Sequence, residues 1–163
     1  MFVRTASERD LEAVRALLVE TWHATYDPIY GAARVTQITD DWHSLPSLKA
    51  RLTRPNSEFL VADDGRHLGG MAFAAAQEDG TTVILHQLYV RPAMQGRGIG
   101  GMLLDEVIES FPEAGVFRLE VEEKNAKAVA FYRANDFVQT GRTENCGRDQ
   151  SGIPALVFER RLD

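Results

Sequence analysis

The chain has one cysteine, Cys146, in 163 residues, so no internal disulfide can form and the redox compartment is not constrained from within. No His, Cys and carboxylate grouping has metal-ligand spacing, and no metal is expected. Also missing is any apolar run of 18 residues, and Met1–Thr5 lacks the basic region and long apolar run of an export signal. Positive charge is in short supply: 18 Lys and Arg stand against 24 Asp and Glu, for a net charge of -6. That balance argues against a general nucleic-acid or anionic-membrane binder and makes cationic partners the easier ones. Internal repeats and low-complexity linkers are absent too. What remains, 44% hydrophobic and 26% charged, is the composition of one ordinary domain over residues 1–163, expected to be soluble and cytoplasmic.

The most informative segment present is Gln95-Gly96-Arg97-Gly98-Ile99-Gly100, followed by Gly101. It lies between the apolar run Val83–Val90 and the helical stretch Gly101–Phe111. Glycines let a backbone come close to a ligand, and successive amides at a helix start point at one spot, so the segment reads as a pyrophosphate cradle. Two other readings stand beside it. Gly96, Gly98 and Gly101 match G-x-G-x-x-G, with Glu120 at dinucleotide-fold spacing, which would suit a nicotinamide enzyme. Against that, five residues from Arg91 to Gln95 separate the strand end from the first glycine. Three strand-like runs also precede the motif without an intervening helix. Alternatively, a glycine-rich strand-to-helix turn serves structure alone.

Elsewhere, Phe2–Ala6 reads as a strand, and Ser7 as the N-cap of an amphipathic helix carrying Leu11, Val14, Leu17, Leu18, Thr21 and Trp22. That helix is expected to end near Asp27-Pro28. From Tyr26 to Leu45 the periodicity weakens, and Trp22, Tyr26, Tyr30 and Trp42 mix with Asp27, Asp40 and Asp41. The segment suits either a pocket wall for a cationic amine or a set of aromatic anchors on the core. Ser47–Arg54 is a further helical piece, and Glu58–Asp63, His67–Ala75 and Thr82–Val90 are strands joined at Asp64-Gly65 and Asp79-Gly80. After the glycine motif come a strand Val116–Val121, a helix Ala126–Ala134, and closing strands Phe137–Thr143 and Ile153–Arg160. The order is β-α-α-β-β-β-α-β-α-β-β, mixed α/β, with a parallel strand pair around the glycine-motif helix.

Gln-x-x-Gly-x-Gly after a strand ending Leu88-Tyr89-Val90 resembles the acetyl-CoA motif of the GNAT superfamily of N-acetyltransferases. A second signal agrees: Leu119-Glu120-Val121, then Asn125-x-x-Ala128-x-x-Phe131-Tyr132 and Phe137, resembles the other half of that cofactor site. The family often has Gly before the last aromatic, where this chain has Asn135-Asp136, residues that tolerate left-handed turns. The resemblance covers nearly the whole chain. It implies a mostly antiparallel central sheet flanked by helices, acetyl-CoA as cofactor, and an amine of a small molecule or peptide as acceptor. It leaves open a homodimer, and also an acyl-CoA-binding module without turnover.

The implied chemistry is acyl transfer to an amine, for which an ammonium must first lose a proton. Glu120 resembles the catalytic glutamate of the ribosomal-protein N-terminal branch, with the alternative that it is ordinary surface charge beside Arg118 and Glu122. His86 is the second candidate base, unless it is a packed, hydrogen-bonded core histidine. Ile84 stands where related enzymes carry a strand carboxylate. By resemblance, backbone amides near Tyr89 and Val90 stabilise the thioester oxygen, Tyr132 is the general acid, and Asn125 binds the pantetheine arm. Gln95 to Gly101 would hold the diphosphate, with Arg97 or Arg91 adding charge. Phe137–Gly141 looks like polyamine-acetylating members, whereas Glu120 points to peptide N-termini.

Overall fold

The structure is a computed structural model that describes residues 1–146 and 152–162. Two units emerge, one from Met1–Ala75 and Gln87–Pro112, the other from Ala76–His86 and Glu113–Asp163.

The first unit opens with β1 (Phe2–Thr5) and a 3-10 turn, Glu8–Asp10. Asp10 accepts the Ser7 N–H at 2.8 Å, and Arg4 binds Asp10 at 2.8 Å and Asp63 at 3.0 Å. The turn leads into α1 (Leu11–Tyr30), whose buried face is Leu11, Val14, Leu17, Leu18, Thr21, Trp22 and Tyr26. This helix runs through Pro28 to Tyr30 and past the expected stop, because a proline near the last turn removes one amide without breaking the turns before it. Gly31, at φ +86°, ends it.

A second departure from expectation follows. The stretch of weak periodicity holds a helix, α2 (Ala32–Trp42), which buries Val35 and Thr39 and half-buries Ile38 and Trp42. Those positions recur at helical spacing, but one of the four is a threonine, which thins the apolar signal. Next comes α3 (Leu45–Leu52), capped by the Ser44 hydroxyl, which accepts the Ser47 N–H at 3.2 Å. β2 (Ser57–Asp63) pairs antiparallel with β1 and with β3 (Leu68–Ala76). The core between them gathers Leu17, Leu18, Leu48, Phe59, Met71 and Phe73. The second half of β4 (Thr82–Val90) and the helix α4 (Ile99–Ser110) complete the unit.

The second unit holds the start of β4 with β5 (Val116–Glu122), α5 (Ala126–Ala134), β6 (Val138–Thr143) and β7 (Ala155–Arg161). β4 and β5 are parallel over Thr82–Ile84 and Val116–Arg118, as the order required, and β4 itself runs on to Val90. β5 pairs antiparallel with β7 along its whole length, and β7 with β6. Alternation buries Phe117, Leu119 and Val121 on one face of β5. Among the described residues the sheet runs β1-β2-β3-β4-β5-β7-β6, seven strands, mixed and mostly antiparallel with one parallel pair.

Candidate functional site

In the first unit, β4 ends in a chain reversal. The Arg91 N–H returns to the Gly69 carbonyl at 2.8 Å, and Pro92–Met94 makes one 3-10 turn. Gln95 then lies extended, its side-chain amide donating to the Val90 carbonyl at 3.1 Å. Gly96 and Gly98 take φ of +80° and +82°, a left-handed backbone that glycine adopts without penalty. A Cβ at Gly96, Gly98 or Gly101 would meet nothing within 4 Å. These glycines are therefore set by backbone shape and open approach, not by packing. Ile99 is buried and anchors the loop from inside.

The Gly98 N-cap supplies no side-chain bond to α4, and no acid occupies its first turn. The opening amides of a helix have no acceptor within it, so this end offers donors and positive potential to an anion. Arg97 is exposed beside it, while Arg91 lies 3.5 Å from Glu20. The residues present fit a diphosphate. One close contact escaped the sequence reading: a Cβ on Gly70 would sit 2.7 Å from the Tyr89 carbonyl oxygen and 2.9 Å from Leu103, so glycine lets β3 approach β4 and α4. Leu88, Tyr89 and Val90 are half-buried.

The four aromatics of the α1–α2 segment come together. Trp22 lies tilted 4.6 Å from Tyr26, meets Trp42 edge-on at 5.6 Å, and lies 6.5 Å from Tyr89; Tyr26 neighbours Tyr30 at 6.1 Å. Trp22 and Tyr26 are buried, and Tyr30 and Trp42 half-buried. The nearby acids have partners: Arg15 holds Asp40 at 2.8 Å and His23 holds Asp27 at 2.6 Å. His43 and Arg51, which the sequence did not single out, pack into the same cluster. His43 is 1% exposed, and burial, with the charges of Arg51 and Arg15, pushes its pKa down to about 3.

In the second unit, Tyr132 is 7% exposed on α5, its ring between Phe131 at 5.2 Å and Phe137 at 5.5 Å. Asn125 caps that helix by accepting the Ala128 N–H at 3.2 Å. The other end closes without glycine: Asp136 takes φ +69°, and the Phe137 N–H reaches the Tyr132 carbonyl at 3.0 Å. Glu120 is exposed on β5. Its expected companions differ, since Arg118 is bound to Glu159 at 2.5 Å while Glu122 is 4% exposed and accepts the Lys124 N–H. His86 is exposed on β4, so it is not a packed core histidine; the burial alternates to Val83 and Leu85 instead. Burial, then Glu120 and Glu122, push the Cys146 thiol up to about 12, which leaves it protonated and unsuited to attack.

The model of the acetyltransferase (GNAT) family matches residues 11–137. The chain is 34% identical over 127 residues to the N-alpha-acetyltransferase RimI of Mycobacterium tuberculosis, covering 76% of this chain and 78% of that one. It is 37% identical over 104 residues to the peptidyl-lysine N-acetyltransferase YjaB of Salmonella typhimurium, covering 59% of this chain and 65% of the relative. Among solved structures, the PaiA N-acetyltransferase of Thermoplasma acidophilum, crystallised with coenzyme A, superposes with a TM-score of 0.86 at 23% identity, covering 99% of this chain and 98% of that one. The glycine-led, uncapped start of α4 and the match across most of the chain agree: this protein belongs to the GNAT family of acetyltransferases and is an acetyl-CoA-dependent N-acetyltransferase.

Proposed function

We propose that residues 1–163 act as a single N-acetyltransferase domain whose acceptor is the α-amine of a peptide N-terminus. The observation that carries the choice of acceptor is the 34% identity to an N-alpha-acetyltransferase over three-quarters of the chain. The pairing of Asp40 supports it as well, because a carboxylate already matched by Arg15 adds little pull on a polyamine.

Acetyl-CoA supplies the acetyl group as an activated thioester. Backbone amides at the start of α4 hold its diphosphate, Gly96 and Gly98 give them room to approach, and the exposed Arg97 adds charge. Gln95, tied to Val90, fixes the loop to the strand end. By the family resemblance, a backbone amide of the Tyr89–Val90 stretch at the end of β4 would face the charge that builds on the carbonyl oxygen. Asn125, the N-cap of α5, lines the pantetheine arm with Ala128 and Phe131 of that helix. Glu120, in water at the surface of β5, takes the proton from the amine, with His86 as the other candidate. The Tyr132 hydroxyl holds the proton that the departing sulfur takes; a phenol with an ordinary pKa of about 10 keeps that proton at neutral pH. Trp22, Tyr26, Tyr30 and Trp42 border the acceptor. The net charge of -6 gives the chain no general attraction to nucleic acid or anionic membranes.

The test is release of coenzyme A from acetyl-CoA with a panel of peptides, polyamines, amino-acid analogues and aminoglycosides. Peptide α-amines should react fastest. A faster polyamine, with an advantage that shrinks as salt rises, would replace the peptide reading. Cofactor binding with no acetylation anywhere in the panel would leave an acyl-CoA-binding module.

A further inference from the structure

Around Trp22 the first unit buries hydrogen-bond donors that have no acceptor among the described residues. The Trp22 Nε1, both ring nitrogens of His43 and the Arg51 Nη1 are buried without a partner among the described residues, and Trp22 and His43 are 5% and 1% exposed. They are neighbours: the rings of Trp22 and His43 lie 5.8 Å apart, and Arg51 acts electrostatically on His43 while its Nη2 holds the Trp42 carbonyl at 2.8 Å. The groups that act on the Arg51 charge are Tyr89 and Arg54, neither of them a carboxylate.

Counting groups shows what is missing. Arg51 Nη1 offers two N–H bonds, the indole one and the imidazole one, against a single acceptor, the second ring nitrogen of His43. The set carries a net positive charge in a poorly hydrated place. Burying an unpaired cation and unsatisfied donors is strongly unfavourable unless something of opposite charge completes them. A carboxylate does so, with two acceptor oxygens and one negative charge. Neither a cationic amine nor an apolar side chain would.

We infer that the cluster of Trp22, His43 and Arg51 receives a carboxylate carried by the acceptor close to its amine. The inference deepens the proposed reading and rests on it. Tyr89 links the two, since its ring borders Trp22 and its backbone belongs to the stretch assigned above to the thioester oxygen. Half-buried Trp42 and Tyr89 give the cluster an edge toward solvent. Two sources share this chemistry: the α-carboxylate of a free amino acid, and an acidic side chain near the start of a peptide.

The experiment compares acceptors that differ by one carboxylate: alanine with alaninamide, and a peptide beginning Ala-Glu with one beginning Ala-Gln. The expected result is a kcat/KM about tenfold or more higher for the acid of at least one pair, expressed in KM, as a hydrogen-bonded charge pair would give. Which pair responds identifies the source. Arg51→Gln should abolish the preference, and Trp22→Phe, which keeps the ring packing and removes one donor, should reduce it. Equal kcat/KM within both pairs of the wild type overturns the inference, with ordered water then satisfying the donors. So does a preference that survives Arg51→Gln. If no compound is acetylated, the peptide reading fails on its own. Calorimetric titration of the same four compounds onto the protein with coenzyme A still decides, and equal affinity within each pair overturns the inference.

Discussion

Among the places where this chain turns through left-handed backbone, the one at Gly96 and Gly98 and the one at Asp136 use it for opposite ends. At Gly96 and Gly98 the positive φ leaves the following helix uncapped and the space above it open. At Asp136 the positive φ closes the helix before it: the Asp136 N–H reaches the Arg133 carbonyl at 3.3 Å, the Phe137 N–H reaches Tyr132, and Phe137 is buried. One turn keeps its backbone groups for something else, and the other uses them up. An open turn demands glycine because a ligand must come near the main chain. A closed one tolerates aspartate at the strain of about a kilocalorie, because the fold alone has to be satisfied.

The largest expected effect separates rate from binding. Tyr132→Phe keeps the ring between Phe131 and Phe137 and removes the hydroxyl, so turnover should fall by about 10²–10⁴ while acetyl-CoA affinity holds, read from steady-state kinetics and a binding titration. Wild-type turnover would remove the acid role from Tyr132. Gly98→Val should do the reverse, forcing a β-branched residue to φ +82° at the open turn. Affinity for acetyl-CoA should drop by about a hundredfold through the lost approach, while the left-handed strain lowers the melting temperature by several degrees and leaves the protein folded at 25 °C. A folded variant with unchanged affinity would mean that the open turn is not the cofactor site.

Smaller in effect is an acid sensitivity lodged in the aromatic cluster. An unfolded imidazole titrates near about 6.5, whereas the buried His43 titrates at about 3. Between those values the unfolded chain binds a proton that the folded chain refuses, so stability falls as pH drops through this window, by about 2 kcal/mol at pH 5. Urea denaturation at pH 7 and pH 5 should show that loss in the wild type and a smaller one in His43→Phe; equal losses would refute the assignment. The smallest effect belongs to the closed turn. Asp136→Gly should change stability by less than about 1 kcal/mol, toward greater stability, and leave activity alone, since it relieves the left-handed strain without touching the closing hydrogen bonds. A loss of activity there would show that the two turns are less separate in purpose than their geometry suggests.

Legibility followed the same division. Gln95 to Gly101 could be read because its chemistry lies in consecutive backbone groups, and the glycines that permit it are visible as letters. The helix Ala126–Ala134 that carries Phe131 and Tyr132 could be read for the same local reason. The helix α2 was harder, because its buried face includes Thr39 and its amphipathic signal is thin. His86 was open between core and surface, since a strand that is apolar in sequence does not announce which face meets solvent. His43 and Arg51 gave no signal at all. Each is an unremarkable polar residue until the fold brings Trp22, from an earlier helix, beside His43, and Arg51 close enough to act on that ring.

By itself the sequence determined the alternation of strands and helices, the single parallel pair, and the glycine-led start of α4. Periodicity, turn residues and backbone freedom are local properties, readable one window at a time. Only the tertiary structure decided which polar groups lose their water. It buried His43 and the Arg51 Nη1 with the Trp22 indole, left Glu120 and His86 in solvent, and gave Asp40 to Arg15. Desolvation depends on everything that packs around a group from distant parts of the chain, and it sets whether a charged side chain is a surface ornament or a demand for a partner.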